Sequence, residues 1–391
     1  MSRRRLVFIL LSSVLAILTG CAADVPSRVA TVKPGKDLSA LFTHDGREAD
    51  DTARFLAGMR GKPGSPYLEF EKDPVWLRHQ ESLDELWSKF ELLRHTGLKE
   101  FGEKELAGKQ IEESVLFYPF GGPDALTPLT LFPRNSRYVL AALEPPGTVP
   151  EFRTDELDWM STHLPSIAST LESFFRSSFF ITRQMDSQLR GQVTDGVMPL
   201  YLIELVRGGN SILRYGYIVL DQEGKLIGRE KDVRRAQFGK NRGVAIEFQT
   251  SDGRIGQFYY LSLNLENRHL RGNAAFQRYL ASLDSATTML KATSYMPHLE
   301  SFSIIREQIL RLSSVIVQDD SGIPFRLLDP AKWSVRLYGD YEHPIQSFGW
   351  LLQPELREAY QDKSKVGRLP FPIGYGSSRM PSNLQVAWRK D

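Results

Sequence analysis

The sequence predicts an α/β domain: a mostly parallel sheet with an inserted antiparallel β-meander, preceded by an N-terminal helical region. Three observations predict this class. Short apolar runs ending in turn or acidic residues alternate with helical patterns across 113–182 and again across 273–350. Between these halves, from Pro199 to Leu265, apolar residues recur at spacing two, the period of a half-buried strand. Ahead of both, Pro74 to His95 places Leu83, Leu86, Trp87, Phe90 and Leu93 on one helical face, and Gly97 follows as an expected stop.

Taken from the N-terminus, Arg3, Arg4 and Arg5 precede an apolar run from Leu6 to Leu18, broken only by Ser12 and Ser13. Its 13 residues are too few to span a bilayer, which needs about 20, and they suit the central region of an export signal of roughly 7–15 residues. Leu18-Thr19-Gly20-Cys21 follows and resembles the lipobox of bacterial lipoproteins. The resemblance implies cleavage after Gly20, with residues 1–20 as signal peptide. It also implies palmitate-type acylation of Cys21 and a bilayer as the partner of that lipid. Two or three acyl chains hold a protein firmly where one does not, at about 0.8 kcal/mol per buried methylene. Ala22 and Ala23 lack the Asp that retains many lipoproteins at the inner membrane, so the outer membrane and the periplasm are the expected location.

Residues 21–48 are polar, contain Pro26, Pro34 and Gly35, and are expected to form a tether. A single α/β domain is expected over 49–391. Within it, helices fill 49–112, the first α/β half 113–182, the meander 197–266, the second half 273–350 and a Pro/Gly-rich region 351–391. In the first half, strands are expected at Val115–Tyr118 and Tyr138–Leu143, with a short helix to Phe132 between them and a long one from Thr154 to Arg176. Tyr201, Ile203 and Leu205 open the meander. In the second half, Thr287–Ala292 and Val315–Gln318 read as strands around a helix at Phe302–Leu312, and Leu384–Trp388 as a closing strand.

Composition excludes several classes. Cys21 is the only cysteine, so the mature domain has no disulfide, thiol nucleophile or thiolate metal site. The chain has 49 basic and 47 acidic residues; loss of the three signal arginines leaves 46 against 47, with no global footprint for nucleic acid. A local basic cluster, Arg229 to Arg242, reads as a solvated loop, with anionic lipid or glycan as the alternative contact.

The strand, glycine loop (Gly121, Gly122), helix and second strand ending in Glu144 resemble a degenerate Rossmann-type methyltransferase sheet. In such folds ligands sit outside the carboxyl ends of the parallel strands. The resemblance therefore implies one crevice gathering Gly121, Gly122, Asp124, Glu144, Tyr295, His298, Asp319 and Asp320. The three-glycine dinucleotide fingerprint is missing, and Pro123 removes a backbone N–H where an anion would be cradled. An exported domain would also not routinely meet S-adenosylmethionine, so methyl transfer is not expected, and no cofactor is assigned. The segments Phe117–Asp124, Tyr138–Gly147 and Gln318–Phe325 further resemble a group of bacterial secreted proteins, a likeness that carries no activity.

Asp124, Gly121, Gly122 and Glu144 are candidate ligand-binding residues, with Asp124 equally readable as a helix cap. Asp319 and Asp320, beside Ser321, are candidates for acid/base chemistry or, with Glu144, for a hard cation. They are equally readable as a turn in which Asp caps backbone amides. Tyr295 and His298 are candidate proton-transfer groups. Two functions follow: a membrane-anchored envelope domain that binds a ligand or partner, or an envelope enzyme such as a metal-assisted hydrolase or transferase using these carboxylates.

Overall fold

The computed structural model describes residues 39–112, 114–149, 157–177, 196–229, 241–376 and 381–390. The signal segment, Cys21, the first part of the expected tether and the basic residues between Arg229 and Arg242 lie outside the described residues. The folded unit runs from Ser39 to Asp391, so 39–48 belong to it and not to a tether. Leu41 is buried, and β1 (His44–Asp45) edges the sheet. Glycines make this docking possible: a Cβ on Gly216 would lie 2.2 Å from the Leu41 carbonyl oxygen.

Helix α1 (Arg47–Leu56) precedes α2 (Pro74–Phe90), which starts where Asp73 accepts a hydrogen bond from Val75 N at 2.7 Å and Pro74 presets the first turn. A π-helical turn at Glu91–His95 leads directly into α3 (Thr96–Glu105), so Gly97 is not a stop. It is instead a packing contact, where a Cβ would sit 3.2 Å from Phe371 Cβ. A short α4 (Lys109–Glu112) ends this region.

The remaining elements in order are β2 (Val115–Pro119), α5 (Leu126–Leu131), β3 (Arg137–Ala142), α6 (Leu157–Ser177) and α7 (Met198–Arg207), then β4 (Ser211–Leu220), β5 (Leu226–Arg229), β6 (Arg242–Gln249) and β7 (Ile255–Ser262). They continue with α8 (Asn267–Leu270), α9 (Ala274–Ala281), β8 (Ala286–Leu290), α10 (Ser303–Leu312), β9 (Ser313–Gln318), β10 (Trp333–Gly339), α11 (Pro354–Gln361), β11 (Val366–Gly367) and β12 (Asn383–Arg389).

Among the described residues, all strands join one mixed, twelve-stranded sheet in the order β1-β4-β6-β7-β3-β2-β8-β9-β12-β10-β11, with β5 paired to β4. The expectation of a mostly parallel sheet therefore holds for its centre, where β7, β3, β2, β8 and β9 run parallel, while the flanks are antiparallel apart from the short edge pair β10–β11. These strands read as continuous apolar runs because both faces are covered; Leu116, Phe117, Tyr118, Val139 and Leu140 are all fully buried. The two buried threonines of β8 have hydroxyl partners: Thr287 meets Ser114 Oγ at 2.7 Å and Thr288 meets Ser313 Oγ at 2.6 Å.

One further expectation is corrected. Tyr201, Ile203 and Leu205 lie on helix α7, not on a strand. Apolar residues surround this helix because every face is buried, and such a run fits both periods equally well. Tyr201 packs on Phe258 and Tyr260 of β7 with ring centroids 4.8 and 5.3 Å apart. The antiparallel meander lies between the two halves in sequence, as expected, with β4, β5, β6 and β7 paired antiparallel, and it joins the same sheet because β7 pairs parallel with β3. The C-terminal region, expected as Pro/Gly-rich, contributes β11 and β12, and β12 lies between β9 and β10.

Candidate functional site

Sheet order fixes where a crevice must open. From β2 the chain lays β3 and β7 to one side, then crosses to place β8 and β9 on the other. Connections leaving the carboxyl ends of β2 and β8 thus diverge between neighbouring strands, the position where open α/β sheets bind ligands.

Backbone strain concentrates at the same place. Left-handed φ values occur at Phe120 (66°) just after β2, and at Ala292 (49°), Ser294 (54°) and Tyr295 (53°) just after β8. Non-glycine residues avoid this region, and costs of about 1–3 kcal/mol each persist where surrounding structure enforces them, often at binding or catalytic sites. Here the enforcement is visible. Phe120 N donates to Ala141 O at 2.8 Å, Ala292 N to Asp319 Oδ2 at 2.8 Å, and Ser294 N to Tyr375 OH at 2.9 Å.

The glycine loop has two different glycines. Gly121 folds over Tyr118, whose ring a Cβ would meet at 2.5 Å; Gly122 has φ 57° and faces the Glu144 carboxylate, whose Oε1 a Cβ would approach only to 3.8 Å. Gly122 and Glu144 are therefore brought together, as expected. Asp124 is not in the opening. Its Oδ1 accepts from Thr127 N at 3.0 Å, and its Oδ2 accepts from Tyr118 OH at 3.0 Å and Lys291 Nζ at 2.5 Å. It is a buried cap and ion-pair partner.

Sequence reasoning missed Lys291 and Glu204. Glu204 Oε2 accepts Ala125 N at 2.6 Å and Leu126 N at 3.2 Å, so the amides that open α5 already hold the Glu204 carboxyl group. Burial first, and the Asp124 charge second, raise the Glu204 pKa well above the ordinary carboxylate range. Arg94, also buried, is lowered to about 10 by desolvation. An external phosphate would find these amides occupied and Glu144 and Asp124 nearby. A lone charge inside an apolar run, Glu204 in Met198–Arg207 and Lys291 closing Ala286–Leu290, was the available signal.

A cavity of about 250 Å³ opens beside Glu144, lined among others by Phe120, Leu143, Glu266, Met296 and Phe302. It gathers the ends of β2, β3, β7 and the chain after β8. Phe120 and Phe302 meet edge to face, 5.9 Å between centroids. Its walls are mainly apolar, and its charged groups are carboxylates.

The two aspartates diverge. Asp319 closes a turn: its Oδ1 accepts Ser321 N at 3.0 Å and Ser321 Oγ at 2.5 Å. Asp319 is packed against Gly374 (φ 59°), and burial, with the Asp320 charge second, pushes it up to about 7. Asp320 turns the other way, accepting Tyr295 OH at Oδ2 (2.5 Å) and Asn383 Nδ2 at Oδ1 (2.8 Å); desolvation raises its pKa. Tyr295 is fully buried, and burial together with Asp320 raises its phenol pKa, so it serves as a donor. His298 packs on its ring and is lowered to about 4 by burial, which keeps the imidazole neutral near pH 7. Asp319, Asp320, Tyr295 and the chain after β8 thus form one cluster, while Glu144 lines a different opening. Among the described residues, no group of three or more His, Cys, Asp and Glu side chains is arranged to hold a metal ion.

A larger groove of about 520 Å³ separates α2 from α6, lined by His79, Glu85, Lys89 and Glu172, away from the strand ends. None of the described left-handed non-glycine residues lines it. Among the described residues, no helix is long and apolar enough to cross a membrane. Comparison with protein-family models, with curated proteins and with solved structures finds no match to this chain.

Proposed function

We propose that this chain is a lipid-anchored protein of the bacterial envelope whose Rossmann-like domain binds a small ligand in the crevice between Phe120 and Glu144. The ligand has an apolar or aromatic face and hydroxyl or N–H donors, and carries no phosphate. The observation that carries this reading is an open, mainly apolar cavity lined by the strained residue Phe120 and by Glu144 at the carboxyl ends of β2, β3 and β7, beside the point where strand order reverses. Glu144 and Glu266 repel anions, and Glu204 occupies the helix amides an anion would need. Anchoring rests on the basic, apolar and lipobox-like segment ending at Cys21. A metal-assisted enzyme draws no support from the placement of Glu144 apart from Asp320.

Two measurements test this. Titration of the full-length chain with adenosine and a phenyl glucoside, each with and without a phosphate, should show saturable binding of at least one uncharged probe. Phosphorylation should weaken it by about tenfold or more, and Glu144→Gln should weaken it comparably. Absence of any binding would refute the crevice. Separately, radiolabelled palmitate should enter the wild type but not Cys21→Ala, and labelling of Cys21→Ala would refute the anchor.

A further inference from the structure

A second opening lies on the same carboxyl edge of the sheet, beyond β9. About 140 Å³ in volume, it is lined by Asp320, Tyr341, Glu342, Tyr375 and Asn383, with His343 at its side. That volume suits the head of a small molecule or a side chain and excludes a large ligand.

The polar atoms lining it are biased toward acceptors. Asp320, 5% exposed, uses one lone pair of each oxygen on Tyr295 and Asn383, and an ionised carboxylate offers about four such positions. Glu342 adds a second carboxylate from an exposed position. Asn383 supplies an independent indication: it is only 6% exposed, its Nδ2 is committed to Asp320, and its Oδ1 has no hydrogen-bond partner among the described residues. An orphaned buried amide oxygen costs about 1–3 kcal/mol, so it calls for a donor. His343 Nδ1 is turned to Pro344 O at 2.8 Å, and no hydrogen bond joins the His343 ring to Asn383 Oδ1. Tyr341 and Tyr375 commit their hydroxyls to Gln353 N, Ala292 O and Ser294 N, and so present aromatic surface.

From this geometry we propose that the Asp320–Glu342–Asn383 pocket binds the N–H-bearing head of an organic cation, an alkylammonium or guanidinium group. Two carboxylates supply the charge complement, Asn383 Oδ1 requires a hydrogen-bond donor, and the tyrosine rings favour a cation with an apolar stem. The site is separate from the Glu144 crevice and takes a ligand of different chemistry.

Calorimetry and NMR on the full-length chain, with n-butylammonium and n-butylguanidinium as probes, test the assignment. At least one probe should bind saturably and shift the Asn383 side-chain amide resonance. Glu342→Gln should weaken it by about tenfold, and Glu144→Gln should leave it unchanged. Choline, a cation without N–H donors, should bind at least about tenfold more weakly. Loss of saturable binding in the wild type, equal binding by Glu342→Gln or choline, or preferential binding of calcium would each overturn the proposal. Should Glu342→Gln fail to fold, the wild-type Asn383 shift and the choline comparison still decide it.

Discussion

Lys291 Nζ lies 2.5 Å from Asp124 Oδ2, and both side chains are almost completely enclosed, at 2% and 1% exposure. Lys291 also donates to Thr127 Oγ1 at 3.1 Å and lies 5.3 Å from the Phe174 ring centroid. This pair ties the end of β8 to the loop after β2, the two segments that flank the crevice. Removing one member of a buried pair leaves an uncompensated charge. Lys291→Met should therefore destabilise the fold by about 3–5 kcal/mol in urea unfolding. Lys291→Met combined with Asp124→Leu should recover part of that loss, because neither charge then remains. A single variant as stable as the wild type would show the pair to be unimportant.

The two loop glycines should respond differently to alanine. At Gly121 the new methyl would meet the ring of Tyr118, itself fully buried, at 2.5 Å. An overpacking cost of about 1–3 kcal/mol is expected. At Gly122 the space is open and only the left-handed backbone opposes the change, at roughly 1 kcal/mol. Thermal unfolding should therefore rank wild type above Gly122→Ala and Gly122→Ala above Gly121→Ala. A reversed order would contradict the packing described for this loop.

Stability against pH has opposed contributions with definite signs. Asp319, raised to about 7, holds a proton in the folded state between about pH 4 and 7 that the unfolded chain releases, so its contribution falls as pH rises through that window. His79 and His298, each lowered to about 4 by burial, do the reverse. The unfolded chain binds their protons up to the ordinary histidine value of about 6.5, so their contribution grows from pH 4 to 6.5. Asp319→Asn removes the falling component. Urea midpoints for that variant should rise more steeply between pH 4 and 6.5 than for the wild type. Parallel profiles would show that Asp319 is not perturbed as described.

Tyr295→Phe should cost about 1.5–3 kcal/mol, the worth of a hydrogen bond to a charged group. It leaves Asp320 with Asn383 as its remaining side-chain donor. Guanidinium unfolding gives the value. A neutral outcome would indicate that Asp320 carries a proton and needs no second donor.

Much of this frame was legible in the residues, for identifiable reasons. Parallel strands covered on both faces leave runs such as Val115–Pro119 and Ser313–Gln318, and Gly121-Gly122 marks the loop that follows the first of them. Tyr201 and Leu205 misled because α7 is apolar on every side, which erases the difference between periods of two and 3.6. Gly97 misled because close approach to Phe371 demands glycine as strictly as a helix end does. At the site, Glu144 beside Gly122 and Tyr295 beside Asp320 were legible from strand ends. The roles of Lys291 and Glu204 were not, because their partners lie far along the chain: Lys291 is 167 residues from Asp124 and Glu204 is 79 from Ala125.

The central claim is that a ligand enters between Phe120 and Glu144. Hydrogen exchange of the full-length chain, with and without a saturating uncharged probe, tests it most directly. Protection confined to residues 120–122, 143–144, 263–266 and 296–302 is the predicted result. Protection centred on the groove between α2 and α6, around His79 and Glu172, would place the binding site elsewhere and contradict it.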